Sequence, residues 1–589
     1  MSLLRKVKKL INAIPVIGPY INKGIDLFIL ICWHMPILGK FTNRMIINDL
    51  ATLTTPRPRP FSLWHHKDPA SSTTGTGSVS DYTSWYSLTN KKFYSRHMPP
   101  IVTDKELPGI PQLLELFKRP KSSPMIKDRN SLLFMFYAQW LTDSVLRTDM
   151  TDRRKNTSNH EVDLCQIYGL TEAVTKKLRQ PNSGKLKSRI EKGQEYPDLL
   201  YTTDAQGTLI VKPEYKCEEL EAFITAQDTF LKRSKIPLER KKDLYITGLE
   251  NGNSSIGYTA FTTLFLRQHN KICDELVNTY QNDAEWNSSD ADYFNERVFQ
   301  TARLINIAIM LKLTLEEYIN HISGRANFTL DCRFAEKNLW YRPNWIAVEF
   351  NLLYRWHSMV PDTITVGNNP PTWDYRFNNA LFETHGLDNV ITALSSQAAG
   401  KICLQNTPEF LWPAEQFSLQ MARDFKLRSY NDYREQFQLD RLKDFSELTS
   451  DKPLAAQLET LYAGDINKLD FLAGLFAQEP ASGKLFGDLL VHMISYDALT
   501  QIFTNPLLSK NILTVETLSE KGMEILDSIS SFHDLAKLNS DTGEVTATFS
   551  VSAAVATSSQ QSQHSYPTQS QPSQQPAQEA VTLAQGENL

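Results

Sequence analysis

Paired cysteines are missing from this chain. Cys32, Cys165, Cys217, Cys273, Cys332 and Cys403 lie scattered through 589 residues, with no CxxC and no zinc-ligand spacing. That excludes a disulfide-stapled scaffold and a zinc ribbon, and it suits thiols kept in a reducing compartment. An excess of one charge is missing too: 62 Lys and Arg stand against 66 Asp and Glu, a formal net charge of −4. No global basic field points to nucleic acid. Long apolar runs are also absent. The longest, around Leu27 to Trp33, is too short to span a bilayer. Near the start, Pro15, Gly18 and Pro19 interrupt what would be the core of a signal peptide. The expected location is therefore intracellular, cytoplasmic or peripheral on a membrane.

There is no internal repeat, and few segments alternate with period two, so the chain reads as mostly α. Residues 1–50 form a first segment in which Leu3, Leu4, Val7, Leu10, Ile11 and Ile14 recur at helical spacing against Arg5, Lys6, Lys8 and Lys9. Such a helix either docks peripherally in a membrane interface, favouring anionic lipid, or packs as an ordinary helix on the main body. Residues 51–79, with Pro56, Pro58, Pro60 and a Ser/Thr/Gly stretch, read as a linker or surface loop. Residues 80–551 carry the body, with long helical patterns at 298–322 and 339–359. Residues 552–589 turn to Gln, Ser and Pro with almost no large apolar side chain, and are expected to be disordered.

The most informative stretch is Tyr354-Arg355-Trp356-His357, followed by Ser358 and Pro361-Asp362-Thr363. On a helix, positions i and i+3 share a face, so an oxidisable phenol and a metal-binding imidazole would sit side by side. Taken alone, that spacing is ordinary core packing. The block resembles, however, the catalytic helix of the cyclooxygenase-like haem dioxygenases, a branch of the animal-type haem peroxidase superfamily. The resemblance runs from about Asp81 to Pro506 in unbroken order. It covers 81–85, 136–143, 162–164, 167–169, 266–274, 300–304, 316–318 with Ser323-Gly324, 349–351 and Phe486-Gly487.

What the resemblance implies is a helical fold with haem b between a distal and a proximal helix. His357 would be the proximal iron ligand, or else a satisfied core histidine. On the distal side the family has a glutamine and, four residues later, a histidine; here these positions are Gln139 and Asp143. The histidine takes the proton of an incoming hydroperoxide and returns it to the leaving oxygen. Asp143 can do so only if burial raises its pKa from about 3.9 toward neutrality. Weak peroxidase turnover is expected, the alternative being a merely solvated carboxylate. Tyr354 matches the radical tyrosine. Tyr318 matches the tyrosine that hydrogen-bonds it, or is a structural phenol.

The substrate channel departs further. Ala51 stands where the family's carboxylate-binding arginine aligns, and Arg325 replaces a tyrosine after Ser-Gly. Arg325 is expected to hold a fatty-acid carboxylate, or to cap a helix. Ala498 matches the serine acetylated by aspirin, and Ile494 matches a glycine that leaves room for ring closure. Val491, Ile494, Ala498 and Leu499 would border the channel, or belong to a core helix. The resemblance thus implies a dioxygenase adding O₂ to a polyunsaturated fatty acid, giving a hydroperoxide or endoperoxide. The alternatives are a prostaglandin-endoperoxide synthase proper and a haem-binding protein with little oxygenase activity. A homodimer is a further implication.

Overall fold

The computed structural model describes residues 3–54 and 93–552, apart from 13–16, 102–105, 234–235, 287–290, 368–371, 482–483 and the single residues 122, 150, 325 and 373. The motif at 81–85, most of the expected linker, Arg325 and the tail from 553 onward lie outside the described residues. All six cysteines are free thiols.

The body is built of helices around Ile256–Tyr280, which is buried along most of its length. Leu132–Asp143, Ala291–Leu313 and Asn379–Ser396 pack against it. A helix apolar on every side belongs inside a protein. Ser131 and Ser255 start two of these helices, their hydroxyls accepting from Phe134 N and Tyr258 N at 3.2 Å. The same two helices meet at Gly257, where a Cβ would lie 2.3 Å from the Phe136 ring; only glycine admits that approach. Extended strands among the described residues are confined to short antiparallel pairs, such as Lys127–Ser131 with Ala398–Gly400. The fold is mostly α, as the sparse period-two patterning predicts.

The helical pattern at 298–322 forms an element with a defect in it. It runs as α-helix over Ala291–Leu313, widens into a π turn over Thr314–Ile319, and closes as α-helix at Asn320–Ser323. The span Asp292–Ser323 is long and apolar enough to cross a membrane, yet most of it is buried inside the body. The pattern at 339–359 requires a correction. Only Val348–Leu353 is α-helical, followed by a bend and the 3-10 turn His357–Met359. Pro343 and Pro361 bracket this segment, and the residue before a proline is disfavoured in helical geometry.

The N-terminal segment forms helices Leu3–Asn12, Gly18–Trp33 and Pro36–Leu50. The third is tied to the body by Asn43 Nδ2 to the Thr329 carbonyl at 2.9 Å and by Trp340 Nε1 to Asn48 Oδ1 at 2.9 Å. On the first helix two basic residues are held in ion pairs: Arg5 with Asp49 at 2.7 Å, and Lys8 with the exposed Asp26. Val7 and Leu10 are exposed instead. The side chains of Leu3, Leu4, Lys6 and Lys9, and residue 14, lie outside the described set.

Candidate active site

Tyr354 is the first residue past the end of helix Val348–Leu353, with φ −95° and ψ 19°. The chain then bends through Trp356 at φ −84° and ψ 45° before the His357–Met359 turn. Tyr354 and His357 therefore do not stand one turn apart on a single helix, as the spacing predicts. The bend still delivers both to one cavity. Strand Ala398–Gly400 supports the turn so closely that a Cβ on Gly400 would meet the Ser358 carbonyl at 2.0 Å.

That cavity, of about 410 Å³, is walled by the bend and by helix Leu132–Asp143. Gln139 and Asp143, one turn apart, line it together with Tyr354, Arg355 and His357. His160 and His269 are engaged elsewhere. His160 Nδ1 accepts from Ile346 N at 2.9 Å, while His269 sits between the Tyr168 hydroxyl and the Gly184 carbonyl at 2.9 and 3.0 Å. Tyr354 also borders a second, nearly apolar cavity of about 30 Å³, walled by Leu141, Val145, Ile319, Phe350 and Ala498 and shared with Tyr318. Of the residues on helix Asp488–Phe503 expected to border a substrate channel, Ala498 reaches this cavity. Ile494 and Leu499 are buried, Val491 is half-buried, and these do not border it.

Asp143 is half-buried at the cavity wall, enclosed by protein on its other sides. Burial pushes its pKa up to about 7, against the pull of hydrogen bonding from Asn251 and the nearby Tyr258 hydroxyl. Burial likewise pushes the Tyr354 phenol up, and the Tyr318 phenol well up, so both keep their protons. The two hydroxyls face each other closely enough that each shifts the other, although Tyr318 forms no well-directed hydrogen bond. The π turn is what carries Tyr318 there, and such turns recur at functional sites. Trp356 packs on Tyr354 with ring centroids 4.8 Å apart.

No motif or spacing in the sequence marks Glu415, on helix Trp412–Asp424. Its Oε2 accepts from His357 Nδ1 at 2.8 Å. Nor did any local pattern announce the buried pair His97–Asp497, with Nε2 3.0 Å from the carboxylate. With Nδ1 engaged, Nε2 is the ring nitrogen of His357 left without a described partner. Among the described residues no group of three or more His, Cys, Asp or Glu gathers to hold a bare metal ion. A single imidazole facing a cavity, fixed from behind by a carboxylate, is a donor set suited to iron already held by a macrocycle. Arg355 Nε, buried at the same wall without a partner, offers a cationic donor for an anionic group there. The residues present fit haem.

The chain belongs to the animal haem peroxidase family, whose sequence profile matches residues 118–546. Prostaglandin G/H synthase 2 of Gallus gallus is 31% identical over 468 residues, covering 76% of this chain and 71% of that protein. Prostaglandin G/H synthase 1 of Rattus norvegicus is 30% identical over 484 residues, covering 78% and 73%. Among solved structures, the fatty acid alpha-dioxygenase of Oryza sativa superimposes with a TM-score of 0.63 at 16% identity, covering 94% of this chain and 97% of that one. Peroxidase A of Dictyostelium discoideum gives 0.59 at 16% identity, covering 78% and 95%. These structural likenesses establish the helical peroxidase fold.

Proposed function

We propose that the chain is a haem-dependent dioxygenase that inserts O₂ into a polyunsaturated fatty acid through a radical on Tyr354. One observation carries this reading: Tyr354 is a common wall of the His357 cavity and of the apolar cavity beyond it. A phenol so placed can be oxidised on one side and act on a hydrocarbon on the other. Haem, held by His357, would supply the peroxide-driven oxidising power. Gln139 orients a hydroperoxide, while Asp143 takes its proton and returns it to the leaving oxygen. Oxidised Tyr354 then draws a hydrogen atom from the fatty-acid carbon. O₂ adds to that carbon, and the peroxyl radical recovers the hydrogen from Tyr354, leaving a hydroperoxide. Tyr318 steadies the phenol throughout.

Arg325 is the carboxylate anchor in this reading, with Val491, Ile494, Ala498 and Leu499 shaping the path of the tail. At about 30 Å³ the cavity has the room of one water molecule, so side chains must give way to an acyl chain. Ile494 does not border this cavity, but it stands where the family has a glycine that leaves room for ring closure, and that added bulk favours a linear hydroperoxide over a bicyclic endoperoxide. The prostaglandin G/H synthase relatives support the endoperoxide as the second reading. The N-terminal helices expose Leu10, Tyr20, Phe28, Ile37 and Phe41 and suit peripheral docking on a membrane, from which an apolar substrate would be drawn. A homodimer completes the proposal.

The test is reconstitution with haemin, oxygen-electrode traces on C18 and C20 unsaturated acids, and product analysis. Oxygen uptake lost in Tyr354→Phe but not in wild type supports the reading. Equal uptake by both would remove Tyr354 from the chemistry, and bicyclic products would overturn the role given to Ile494.

A further inference from the structure

We propose that Glu415 is a positioning residue that sets the donor strength of His357 toward iron. This rests on the reading of His357 as the proximal ligand and goes beyond it. The Glu415 side chain is 1% exposed, and its Oε2 accepts from His357 Nδ1 at 2.8 Å and from Thr407 Oγ1 at 3.2 Å. Its Oε1 is buried with no partner. The carboxylate therefore has no stronger demand on it than the imidazole N–H.

A charge-assisted hydrogen bond of this kind draws the Nδ1 proton toward the carboxylate. The ring gains imidazolate character, and Nε2 becomes a stronger electron donor than an imidazole bonded to an amide or to water. Arg355 is the cation whose field Glu415 shares, but its Nη2 donates to Asn351 and not to Glu415. The arrangement is held rigidly. Asn406 Nδ2 donates to the Ser358 carbonyl at 3.2 Å, and Trp412 Nε1 donates to the Thr407 carbonyl at 3.0 Å. The loop leading to Glu415 is thus fastened to the turn that carries His357. With haem held by His357, such a donor would favour the ferric form and support the cofactor's cleavage of peroxides, the half of the chemistry that Asp143 serves less readily than a histidine would.

The experiment compares haemin-loaded wild type, Glu415→Gln, Glu415→Asp and His357→Ala by resonance Raman of the ferrous state and by spectroelectrochemistry. The expected wild-type iron–histidine stretch lies at the high-frequency, imidazolate-like end. In Glu415→Gln it drops to the neutral-imidazole end, the ferric/ferrous potential moves positive, and haem affinity falls about 10–100-fold. Glu415→Asp, which keeps the charge, stays nearer wild type. A neutral-imidazole frequency in wild type overturns the proposal, as does an unchanged frequency and potential in Glu415→Gln. Should Glu415→Gln fail to fold, the wild-type frequency alone decides. If His357→Ala loads haem with an unaltered spectrum, the fault lies in the ligand assignment and not in Glu415.

Discussion

Asn251 donates from Nδ2 to Asp143 Oδ2 at 2.9 Å, holding the carboxyl at the cavity wall one helical turn from Gln139. This bond favours the ionised form, but burial outweighs it and pushes the pKa up to about 7. In the proposed mechanism the charged carboxylate is the proton acceptor, so it becomes available as pH rises. Hydroperoxide reduction should therefore climb between about pH 6 and 8 and level off above. Asp143→Asn should lose this limb and slow turnover by about 100-fold. A stopped-flow pH profile of both proteins checks it.

The same group shapes stability. The folded pKa lies above the ordinary 3.8, so the fold binds the proton more tightly than the unfolded chain. That contribution is fully present below about pH 4 and is lost as pH rises through about 7. Between pH 5 and 8.5, haem-free wild type should lose about 2 kcal/mol relative to Asp143→Asn, part of the shift being screened by water in the cavity. Urea titrations at both pH values measure the difference; parallel curves would refute it.

How far the site was legible follows from which contacts are local. Gln139 and Asp143 lie four apart on an unbroken helix, so spacing alone puts them on one face. Tyr354 and His357 were legible as a pair but not in their geometry, because the helix stops at Leu353 and the chain bends from Tyr354 through Trp356, a break that a count of three positions does not register. Glu415 meets His357 across 58 positions, and Asp497 meets His97 across 400, with no periodicity linking either pair. The π turn that carries Tyr318 also escapes a reading based on a 3.6-residue repeat. The helical class was legible because apolar periodicity depends on burial, and burial dominates the long elements.

Replacing Tyr354 by Phe should leave the haem spectrum intact while cutting oxygen uptake at least about 100-fold, a barrier rise of about 2.7 kcal/mol. Tyr318→Phe should cost much less, since that hydroxyl forms no well-directed bond. Freeze-quench electron paramagnetic resonance after peroxide addition separates the two. The radical signal should vanish in the first variant and only change its hyperfine pattern in the second.

The N-terminal helices give a prediction about lipid. Arg5 and Lys8 are engaged with Asp49 and Asp26, so vesicle binding should depend more on apolar insertion than on charge. Binding to zwitterionic vesicles should survive raised salt. Ile37→Ser combined with Phe41→Ser should weaken it by roughly 3–5 kcal/mol if both side chains bury fully. Flotation assays read both effects, and strong salt sensitivity would point to charge instead.

Ala498 offers the cleanest test of the apolar cavity. It sits on helix Asp488–Phe503 and shares a cavity wall with Tyr354 and Tyr318, while the His357 cavity, which Tyr354 also borders, is not lined by Ala498. Ala498→Leu would press extra methylenes into about 30 Å³, at a stability cost of about 1–3 kcal/mol. It should raise KM for fatty acids and depress oxygen uptake several-fold, yet leave hydroperoxide reduction close to wild type. The split matters because damage to the fold would lower both activities together. If oxygen uptake and hydroperoxide reduction fell in parallel in a protein that still loads haem, the cavity would not be where the substrate meets Tyr354.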